Sequence, residues 1–479
     1  MITRIPGVFL ITLIIFAGCH PVGPPYEPPS PDLPVSWHNS LPSDKPGTGE
    51  NKAERTDWWT LFDDPLLIGL IQKACSDNLS VKDSVFKLKE ARARRGIGQA
   101  DLYPTLDASY GSTVSRSYGE TGGGNENRLF RAGLDAGWEM DLFGGNRKTV
   151  EKLIANLEAS EENLNDIRIS IAAEVALNYI DVRVGQERLA VAMENLAIQE
   201  ETWGLNQARY QAGLSDELSV HQASYNLEGT RARIPVLKVS LEASLNRMAV
   251  LTGDYPGSLH EKLVTMSPIP ILPESIAIGI PSDTVRARPD IRRAERNLAA
   301  RTAAVGEANA DRYPKLTFSG SLGLSSLTFG NLFDVDNRNY SYGPHISLPI
   351  FNAGAIRKNI AVQTAVQEQS LVQYETAVLN AMEEVENAVH AYEKENERLL
   401  ILTKATSAAR QAAKLSQKKY ESGLIDFNVV LDSQRSLLTF QDQMVESRGK
   451  AAANLVRLYK AMGGGRVSME KMNNYETRQ

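Results

Sequence analysis

Hydrophobic residues change their spacing abruptly inside the first half of the chain. Near residue 130 they occupy every second position, from Phe130 through Leu134 to Trp138. They then step by threes and fours along a stretch without proline between Gly144 and Gly213. A period of two predicts a half-buried strand, whereas a period near 3.6 predicts a helix. The pattern therefore predicts a β-hairpin followed by a long helix.

The same change of spacing returns about 210 residues later, which indicates an internal duplication. Short motifs repeat in this register: Ala100-Asp-Leu-Tyr-Pro104 returns as Ala310-Asp-Arg-Tyr-Pro314, and Tyr210-Gln-Ala-Gly213-Leu214 returns as Tyr420-Glu-Ser-Gly423-Leu424. Solenoid repeats are only about 20 to 50 residues long, so this unit is a duplicated half-protein. Each half should build the same structure.

The pattern predicts two repeats, at residues 58–260 and 289–465, joined by a linker at 261–288 and followed by a tail at 466–479. The first repeat should contain helices at about 79–101, 145–212 and 214–253 and a hairpin at about 105–143. The second should contain helices at about 289–311, 354–422 and 424–463 and a hairpin at about 315–351. Pro344 and Pro349 favour a loop for the last strand, but its alternation matches the first repeat and favours a strand.

The N-terminus carries export signals. Residues 8–16 form an apolar run that precedes Phe16-Ala-Gly-Cys19, so residues 1–18 are predicted to be a signal peptide. The segment Phe16-Ala-Gly-Cys19 resembles a bacterial lipobox, which predicts lipidation of Cys19. Ordinary secretory cleavage is the alternative. Residues 19–57 are rich in proline and should form an extended tether. His20 in place of Asp favours the outer membrane as the destination.

Composition excludes several classes of function. The net charge of −6 and the pI near 5.7 give no basic surface for nucleic acid. The six histidines are scattered, and no catalytic or nucleotide-binding motif is present, so no enzyme activity, metal or cofactor is expected. Cys75 is predicted to be a small buried hydrophobic residue, with a Cys19–Cys75 disulfide as the alternative.

Four strands per chain cannot close into a membrane barrel by themselves. An open sheet edge in hydrocarbon leaves backbone groups unpaired, and closed membrane barrels use about eight strands or more. At least two chains must therefore pool their hairpins, and the long helices would pool with them into a tube.

Several separate motifs resemble the TolC-like outer-membrane efflux factors, and the lipobox and tether point to the lipoprotein branch. The motifs are Val22-Gly-Pro-Pro-Tyr26, Trp58-Trp-Thr-Leu-Phe-Asp-Asp-Pro65, Trp138-Glu-Met-Asp-Leu-Phe-Gly144 and Arg288-Pro-Asp-Ile-Arg292. The resemblance implies a mainly helical, mixed α and β membrane protein: a homotrimer with an outer-membrane β-barrel above a periplasmic α-barrel. It also implies a periplasmic adaptor and an inner-membrane resistance-nodulation-division pump as partners.

The helix turns far from the hairpins are candidate gates. The resemblance places a gate aspartate at Asp432, and Asp426, Asp216 and Glu217 are further candidates. Three copies of Asp432 around a narrow axis would form an acidic ring that favours cations. Helix capping is the alternative for Asp216 and Asp426, and a solvated helix face is the alternative for Asp432.

The repeated motifs at the same turns are candidates for docking the adaptor. These residues are Tyr210, Gly213, Leu214, Tyr420, Gly423 and Leu424. Simple capping of the long helices is the alternative interpretation.

The sequence is compatible with two functions. The sequence favours a passive exit duct, and the alternative is a periplasmic coiled-coil adaptor or scaffold lipoprotein without a channel. An adaptor needs only one helical hairpin and would not carry two amphipathic β-hairpins at equivalent positions of a duplication.

Overall fold

The computed structural model describes residues 22–39, 57–118, 124–270 and 281–464. The predicted signal peptide, the lipidation site at Cys19 and the tail at 466–479 lie outside these residues. The described chain divides into two compact units, each containing parts of both repeats. The sheet unit combines Lys87–Glu161 and Arg293–Thr376 with the N-terminal residues up to Pro31. The helical unit combines Asp32–Phe86, Glu162–Arg292 and the residues from Ala377 onward.

Apart from one additional helix at the start of the first repeat, each repeat contains one helix, two strands and two long helices in the same order. The first contains α1 (Pro65–Asp77), α2 (Leu79–Ala100), β1 (Thr105–Tyr118), β2 (Gly124–Met140), α3 (Gly145–Gln211) and α4 (Glu217–Leu251). Two short helices follow, α5 (His260–Leu263) and α6 (Pro281–Ala287). The second repeat contains α7 (Pro289–Ala310), β3 (Lys315–Ser326), β4 (Arg338–Ser347), α8 (Ala355–Glu421) and α9 (Phe427–Ala461).

The two repeats have helices of equal length. Helices α3 and α8 each have 67 residues, and α4 and α9 each have 35. The returning helices begin at Glu217 and Phe427, three residues after the predicted positions, because each turn continues through an extended N-cap residue at Asp216 or Asp426. Gly213 and Gly423 adopt φ of +71° and +73°, the left-handed conformation that ends a helix and favours glycine.

Helix α1 was not among the predicted elements. It begins with Pro65 at its first position, where the missing N–H is harmless. The Asp64 carboxylate accepts hydrogen bonds from the backbone N–H groups of Leu66 and Leu67, at 3.0 and 3.2 Å. Cys75 lies on this helix as a free thiol, and burial raises its pKa to about 11.

A buried polar network fixes α1 and the aromatic segment before it within the helical unit. Trp58 is fully buried and stacks on Tyr459 with ring centroids 5.9 Å apart. Arg183 is also buried and donates to the Tyr179 hydroxyl, which donates in turn to Asp64 at 2.5 Å. Because a buried guanidinium needs partners, this network ties Asp64, just before α1, to the middle of α3.

The four strands form one antiparallel sheet in the order β1-β2-β3-β4. The pairing aligns Ala108, Leu134, Leu322 and Tyr340 in one row across the sheet. Strand β4 ends at Ser347 rather than near residue 351 as predicted. Pro344 lies inside the strand opposite Phe318, whereas Pro349 lies beyond its end. Strands β1 and β4 are the two edges of the sheet.

Candidate functional site

The sheet has one apolar face, defined here by the even-numbered positions of all four strands. Its members lie in shared rows because the register pairs even positions with even positions. Many of these large side chains are solvent-exposed in the single chain: Leu106, Tyr110, Val114, Leu134, Phe318, Leu322, Tyr340, Tyr342 and Ile346. An exposed apolar surface of this extent marks a contact with lipid or with another protein.

The polar face, defined by the odd-numbered positions, carries hydroxyl and charged groups. Ser109 donates to the Asp135 carboxylate at 3.2 Å, and the Ser321 and Ser341 hydroxyls lie 2.8 Å apart. These hydrogen bonds cross neighbouring strands on the side opposite to the apolar face. The two faces therefore differ sharply in polarity along the length of the sheet.

Aromatic side chains border the apolar face at both ends. At the helix end, Trp138 stacks on Phe318 at 6.3 Å, and its indole Nε1 donates to the Leu102 carbonyl at 3.0 Å. At the hairpin end, Phe130 meets Phe329 at 5.6 Å. Phe130 and Trp138 are eight residues apart on β2, or about 26 Å along the strand. This separation is close to the apolar band of about 25 Å found in outer-membrane barrels.

The first-repeat turn is closed by its own side chains. The Asp216 carboxylate accepts from the Ser219 hydroxyl at 2.5 Å and from the Ser219 backbone N–H at 2.9 Å. These bonds hold the pKa of Asp216 below its usual value. The Glu217 carboxylate lies 3.6 Å from His221 and is exposed. Asp216 thus acts as a helix cap in the single chain.

The second-repeat turn differs at the equivalent residues. Asp426 occupies the N-cap position but makes no capping hydrogen bond with its side chain. Asp432 lies on the exposed face of α9. Both carboxylates therefore face solvent in the single chain, and the gate roles predicted for them stay predictions.

The two turn tyrosines have opposite surroundings. Tyr210 is 44% exposed, whereas Tyr420 is 5% exposed. The Tyr420 hydroxyl donates to Asn206 at 2.6 Å, and the guanidinium of Arg209 lies 4.9 Å from its ring centroid. Leu214 and Leu424 are exposed. A docking surface can use Tyr210 and both leucines directly, while Tyr420 is placed to support the turn.

Residues 22–26 of the tether contact the helices and the sheet end of the sheet unit. Val22 donates its N–H to the Phe143 carbonyl at 3.0 Å. Gly23 has φ of +116°, and a Cβ there would lie 2.5 Å from the Gly306 Cα, so only glycine permits this crossing. The Tyr26 hydroxyl donates to a Glu295 carboxylate oxygen at 3.1 Å, and burial raises the pKa of Tyr26.

Arg288 joins the start of α7 and the end of α9 to the middle of α8, and it was not among the predicted site residues. It is buried and donates to the Ala461 carbonyl and to the carboxylates of Asp290 and Glu384, each at 2.7 Å. It satisfies a carbonyl at the C-terminal end of α9, where helices lack internal partners. Its motif was visible in the sequence, but only as a part of the family resemblance.

Asn78 makes the equivalent contact in the first repeat. Its amide donates to the Leu251 carbonyl at 2.9 Å, and its side-chain oxygen accepts from Ser80 N–H at 2.9 Å. Asn78 and Arg288 are 210 positions apart, as are Leu251 and Ala461. The repeat offset was therefore the signal that pairs these two joints.

The described part of the chain contains neither a membrane-spanning helix nor a cluster of metal-binding side chains. None of the helices in that part is long and apolar enough to cross a membrane. No group of three or more His, Cys, Asp or Glu side chains there is arranged to hold a metal ion.

The chain is duplicated and carries two amphipathic hairpins and two equivalent 67-residue helices. The sequence profile described as outer membrane efflux protein matches residues 70–254 and 280–464. The chain therefore belongs to the outer membrane efflux protein family, and the predicted resemblance is confirmed. The two matched segments begin 210 positions apart, in agreement with the internal duplication.

Relatives match over nearly the whole length. Nodulation protein T of Rhizobium leguminosarum bv. trifolii is 31% identical over 94% of this chain and 96% of its own. The probable outer membrane lipoprotein SilC of Salmonella typhimurium is 29% identical over 95% and 98%. The solved structure of the outer-membrane channel OprN superposes with a TM-score of 0.85 and 33% identity, covering 93% of this chain and 99% of OprN. The predicted mainly helical fold with four strands is confirmed.

Proposed function

We propose that this chain is the outer-membrane exit duct of a tripartite efflux system. It conducts substrates passively from a periplasmic adaptor and an inner-membrane pump to the exterior. The observation that carries the proposal is the sheet, whose apolar face runs across all four strands with a polar face behind it. Alternation of this kind suits barrel strands with lipid outside and water inside.

Three copies would complete the duct. The open edges at β1 and β4 need partners in a membrane, since unpaired backbone groups in hydrocarbon are costly. A homotrimer would supply 12 strands, with a helical tube built from α2, α3, α4, α7, α8 and α9 of each copy. In this layout residues 58–260 and 289–465 are the repeats, 261–288 are the linker and 466–479 are the tail.

Cys19 would anchor each copy by lipid after removal of residues 1–18. It lies three residues before Val22, and three residues span at most about 11 Å. Val22 is bonded to Phe143, beside the helix end of the sheet. The acyl chains would therefore enter the membrane near the helix-end aromatic residues of the apolar face. The lipoprotein name of the relative SilC supports this anchor.

The helix turns would supply the gate and the docking surface. Asp432 is the leading gate residue because it is exposed in the second repeat, and Asp426 and Glu217 would add charge beside it. Asp216 would serve mainly as a cap, given its two bonds to Ser219. Tyr210, Leu214 and Leu424 would contact the adaptor, with Gly213 and Gly423 shaping the turns and Tyr420 supporting them from within.

No catalytic step or cofactor is part of this proposal. The members of the family that it resembles are channels, and the driving force would come from the inner-membrane pump. The conducted substrate would be selected by that pump.

Single-channel recording in planar bilayers tests the proposal, with two neighbouring residues as a matched pair. Leu322→Arg places a charge on the apolar face, at a cost of about 2–4 kcal/mol per copy in lipid. We expect it to abolish insertion. Ser321→Arg places the same charge on the polar face, and we expect it to insert and to change conductance and ion selectivity.

The wild-type protein should give discrete, long-lived conductance steps. If folded wild-type protein never conducts, or if the two arginine variants behave alike, the duct is the wrong function. Material recovered as a soluble periplasmic protein would instead support the scaffold lipoprotein.

A further inference from the structure

The loop between β3 and β4 carries exposed apolar side chains. The β3–β4 loop is defined here as residues 327–337, and four of its side chains are both apolar and between 56% and 70% exposed: Leu327, Phe329, Phe333 and Val335. Neither the proposed gate nor the proposed docking surface uses these residues. An exposed apolar cluster of this kind marks a contact with lipid or with another protein.

The β3–β4 loop has a defined conformation. It contains two short 3₁₀ turns, Phe329–Asn331 and Val335–Asn337. The Asn337 side-chain amide donates to the Asn331 carbonyl at 2.6 Å and ties the two turns together. Leu332 lies between the turns and is fully buried. A loop with internal bonds and a buried side chain of its own presents its surface residues from fixed positions.

The register of the sheet gives the position of the loop along the barrel strands. Strand β3 ends at Ser326, opposite Phe130, and β4 begins at Arg338, opposite Leu324. Both ends of the loop therefore lie near Phe130, where aromatic side chains border the apolar face. The first hairpin continues past this level through residues 124–129 of β2, for about 20 Å.

That continuation of the first hairpin is polar. Glu126, Asn127 and Arg128 are exposed, and the Arg128 guanidinium forms an ion pair with Glu126 at 3.1 Å. Charged and amide side chains favour water or headgroups over hydrocarbon. The β3–β4 loop thus begins and ends at the boundary between the apolar face and this polar continuation.

One ring contact shows which side of the sheet the loop covers. The Phe329 ring meets the Phe130 ring edge-on, with 5.6 Å between the centroids. Phe130 is an even-numbered residue of β2 and belongs to the apolar face. The loop therefore lies toward the apolar face and away from the polar face, which would line the lumen of the proposed duct.

The construction of the hairpin does not require these apolar side chains. The residues 210 positions earlier, in the first hairpin, are small or polar: Ser117, Gly119, Gly123 and Asn125. Both hairpins keep this offset in their pairing, because Thr105 pairs with Gly137 and Lys315 pairs with Ser347. The apolar set is therefore a property of the second hairpin and not of the duplicated unit.

We infer that the β3–β4 loop inserts its apolar side chains into the outer leaflet of the membrane, at the boundary between acyl chains and headgroups. This inference rests on the proposed duct and adds a lipid contact beyond the barrel strands. Asp334, Asp336 and Arg338 are exposed beside the apolar residues and would lie among the headgroups. Aromatic side chains flanked by charged ones are the usual anchors at this depth.

The loop would complement the lipid on Cys19. The acyl chains of Cys19 would enter the membrane near the helix end of the apolar face, whereas the loop lies near its hairpin end, about 26 Å away along β2. Each copy would then be held at both surfaces of the membrane. The two anchors together would set the depth of the barrel in the bilayer.

Spin labelling tests the location of the loop. In a Cys75→Ser background, single cysteines replace Phe333 in the loop, Leu322 on the apolar face and Glu126 in the polar continuation. Each nitroxide-labelled protein is reconstituted into liposomes of phosphatidylethanolamine and phosphatidylglycerol. Its accessibility to oxygen, which concentrates in lipid, is compared with its accessibility to water-soluble Ni-EDDA. We expect an oxygen-to-nickel ratio at Phe333 that is several-fold above the ratio at Glu126 and approaches the ratio at Leu322.

The same three labels separate failure of the inference from failure of the duct. If Phe333 gives the same ratio as Glu126 while Leu322 reports lipid, the loop lies in water and only the inference is wrong. If Leu322 of the folded protein also reports water, the sheet does not face lipid, and both the inference and the duct are wrong.

A triple variant distinguishes lipid from the other two contacts open to the loop. Leu327→Ser/Phe333→Ser/Val335→Ser removes three apolar side chains and retains Phe329 against Phe130. We expect its channel conductance and its dissociation temperature in detergent to match the wild type, because neither the lumen nor another copy loses a contact. A higher conductance would mean that the loop covers the channel mouth, and a lower dissociation temperature would mean that it packs on another copy. Either result would contradict the inference.

Discussion

The two repeats share a backbone but not the side chains at their functional ends. Gly213 and Gly423 adopt the same left-handed conformation, and the helices around them have equal lengths. Yet the first turn satisfies Asp216 through Ser219, whereas the second has Val429 at the position equivalent to Ser219 and leaves Asp426 without a cap bond. The backbone geometry is the same in both turns, but of the two N-cap acids only Asp216 makes a side-chain cap bond.

The contacts at the ends of α4 and α9 also differ between the repeats in their side chains. Asn78 ties α2 to the end of α4 with a neutral amide, while Arg288 makes the equivalent bond with a buried charge and also reaches Glu384. The second repeat therefore depends more heavily on one side chain. The comparison suggests where each half is sensitive to substitution.

The largest effect is expected at Arg288. Arg288→Ala removes the donor of the Ala461 carbonyl and of the Glu384 carboxylate, and loss of one partner from a buried pair costs about 3–5 kcal/mol. Since Glu384 is largely exposed, we expect about 3 kcal/mol, measured as a lower midpoint of urea denaturation. Asn78→Ala should cost about 1 kcal/mol. If both variants lose the same free energy of unfolding, the second repeat does not depend more on Arg288 than the first depends on Asn78.

The turn tyrosines provide a smaller contrast. Tyr420→Phe removes the bond to the buried Asn206 oxygen, and an unsatisfied buried group costs about 1–3 kcal/mol. Tyr210→Phe should leave stability unchanged because its ring is substantially exposed. Thermal denaturation of the two variants checks this pair. A matching loss for Tyr210→Phe would show that both turns are built alike.

At the proposed gate, the two repeats carry an acidic side chain and an amide side chain at equivalent positions. Asp432 in the second repeat corresponds to Gln222 in the first. We expect Asp432→Asn to lower cation preference in planar bilayers, and Asp432→Arg to lower it further, with stability preserved. Gln222→Asp serves as the matched addition of charge. Unchanged traces for Asp432→Arg would place the gate elsewhere.

The smallest effect concerns the dependence of stability on pH. Hydrogen bonds from Ser219 depress the pKa of Asp216 in the folded chain. The carboxylate therefore contributes stability above the usual pKa of about 3.9, and this contribution is lost as the pH falls through the lower folded pKa. In measurements of the free energy of unfolding against pH, Asp216→Asn should remove the loss of stability at acidic pH that Asp216 causes. Val429→Ser should introduce a similar loss through Asp426 in the second repeat. If neither variant changes the pH dependence, Asp216 is not a stabilising cap.

The sequence predicted the elements that periodicity and repetition encode. Alternation around Phe130 predicted strand β2, and the proline-free stretch after Gly144 predicted a helix that runs from Gly145 to Gln211. The offset of the two repeats predicted the second hairpin in spite of Pro344. These features depend on local spacing, which a single chain displays directly.

Features that depend on distant contacts were missed. The residues around Tyr210 and Tyr420 are similar, so the sequence could not reveal that Tyr420 is the one that bonds to Asn206. The capping role of Arg288 requires a carbonyl 173 positions away. The alternation of apolar residues continues through Ile350, so it could not reveal that β4 ends at Ser347.

The mass of the intact assembly tests the central claim most directly, namely that open sheet edges force copies of this chain to close a duct together. Native mass spectrometry of the protein extracted from outer membranes should give three chains, each with a lipidated N-terminus. A folded, membrane-extracted protein with the mass of one chain would contradict the account.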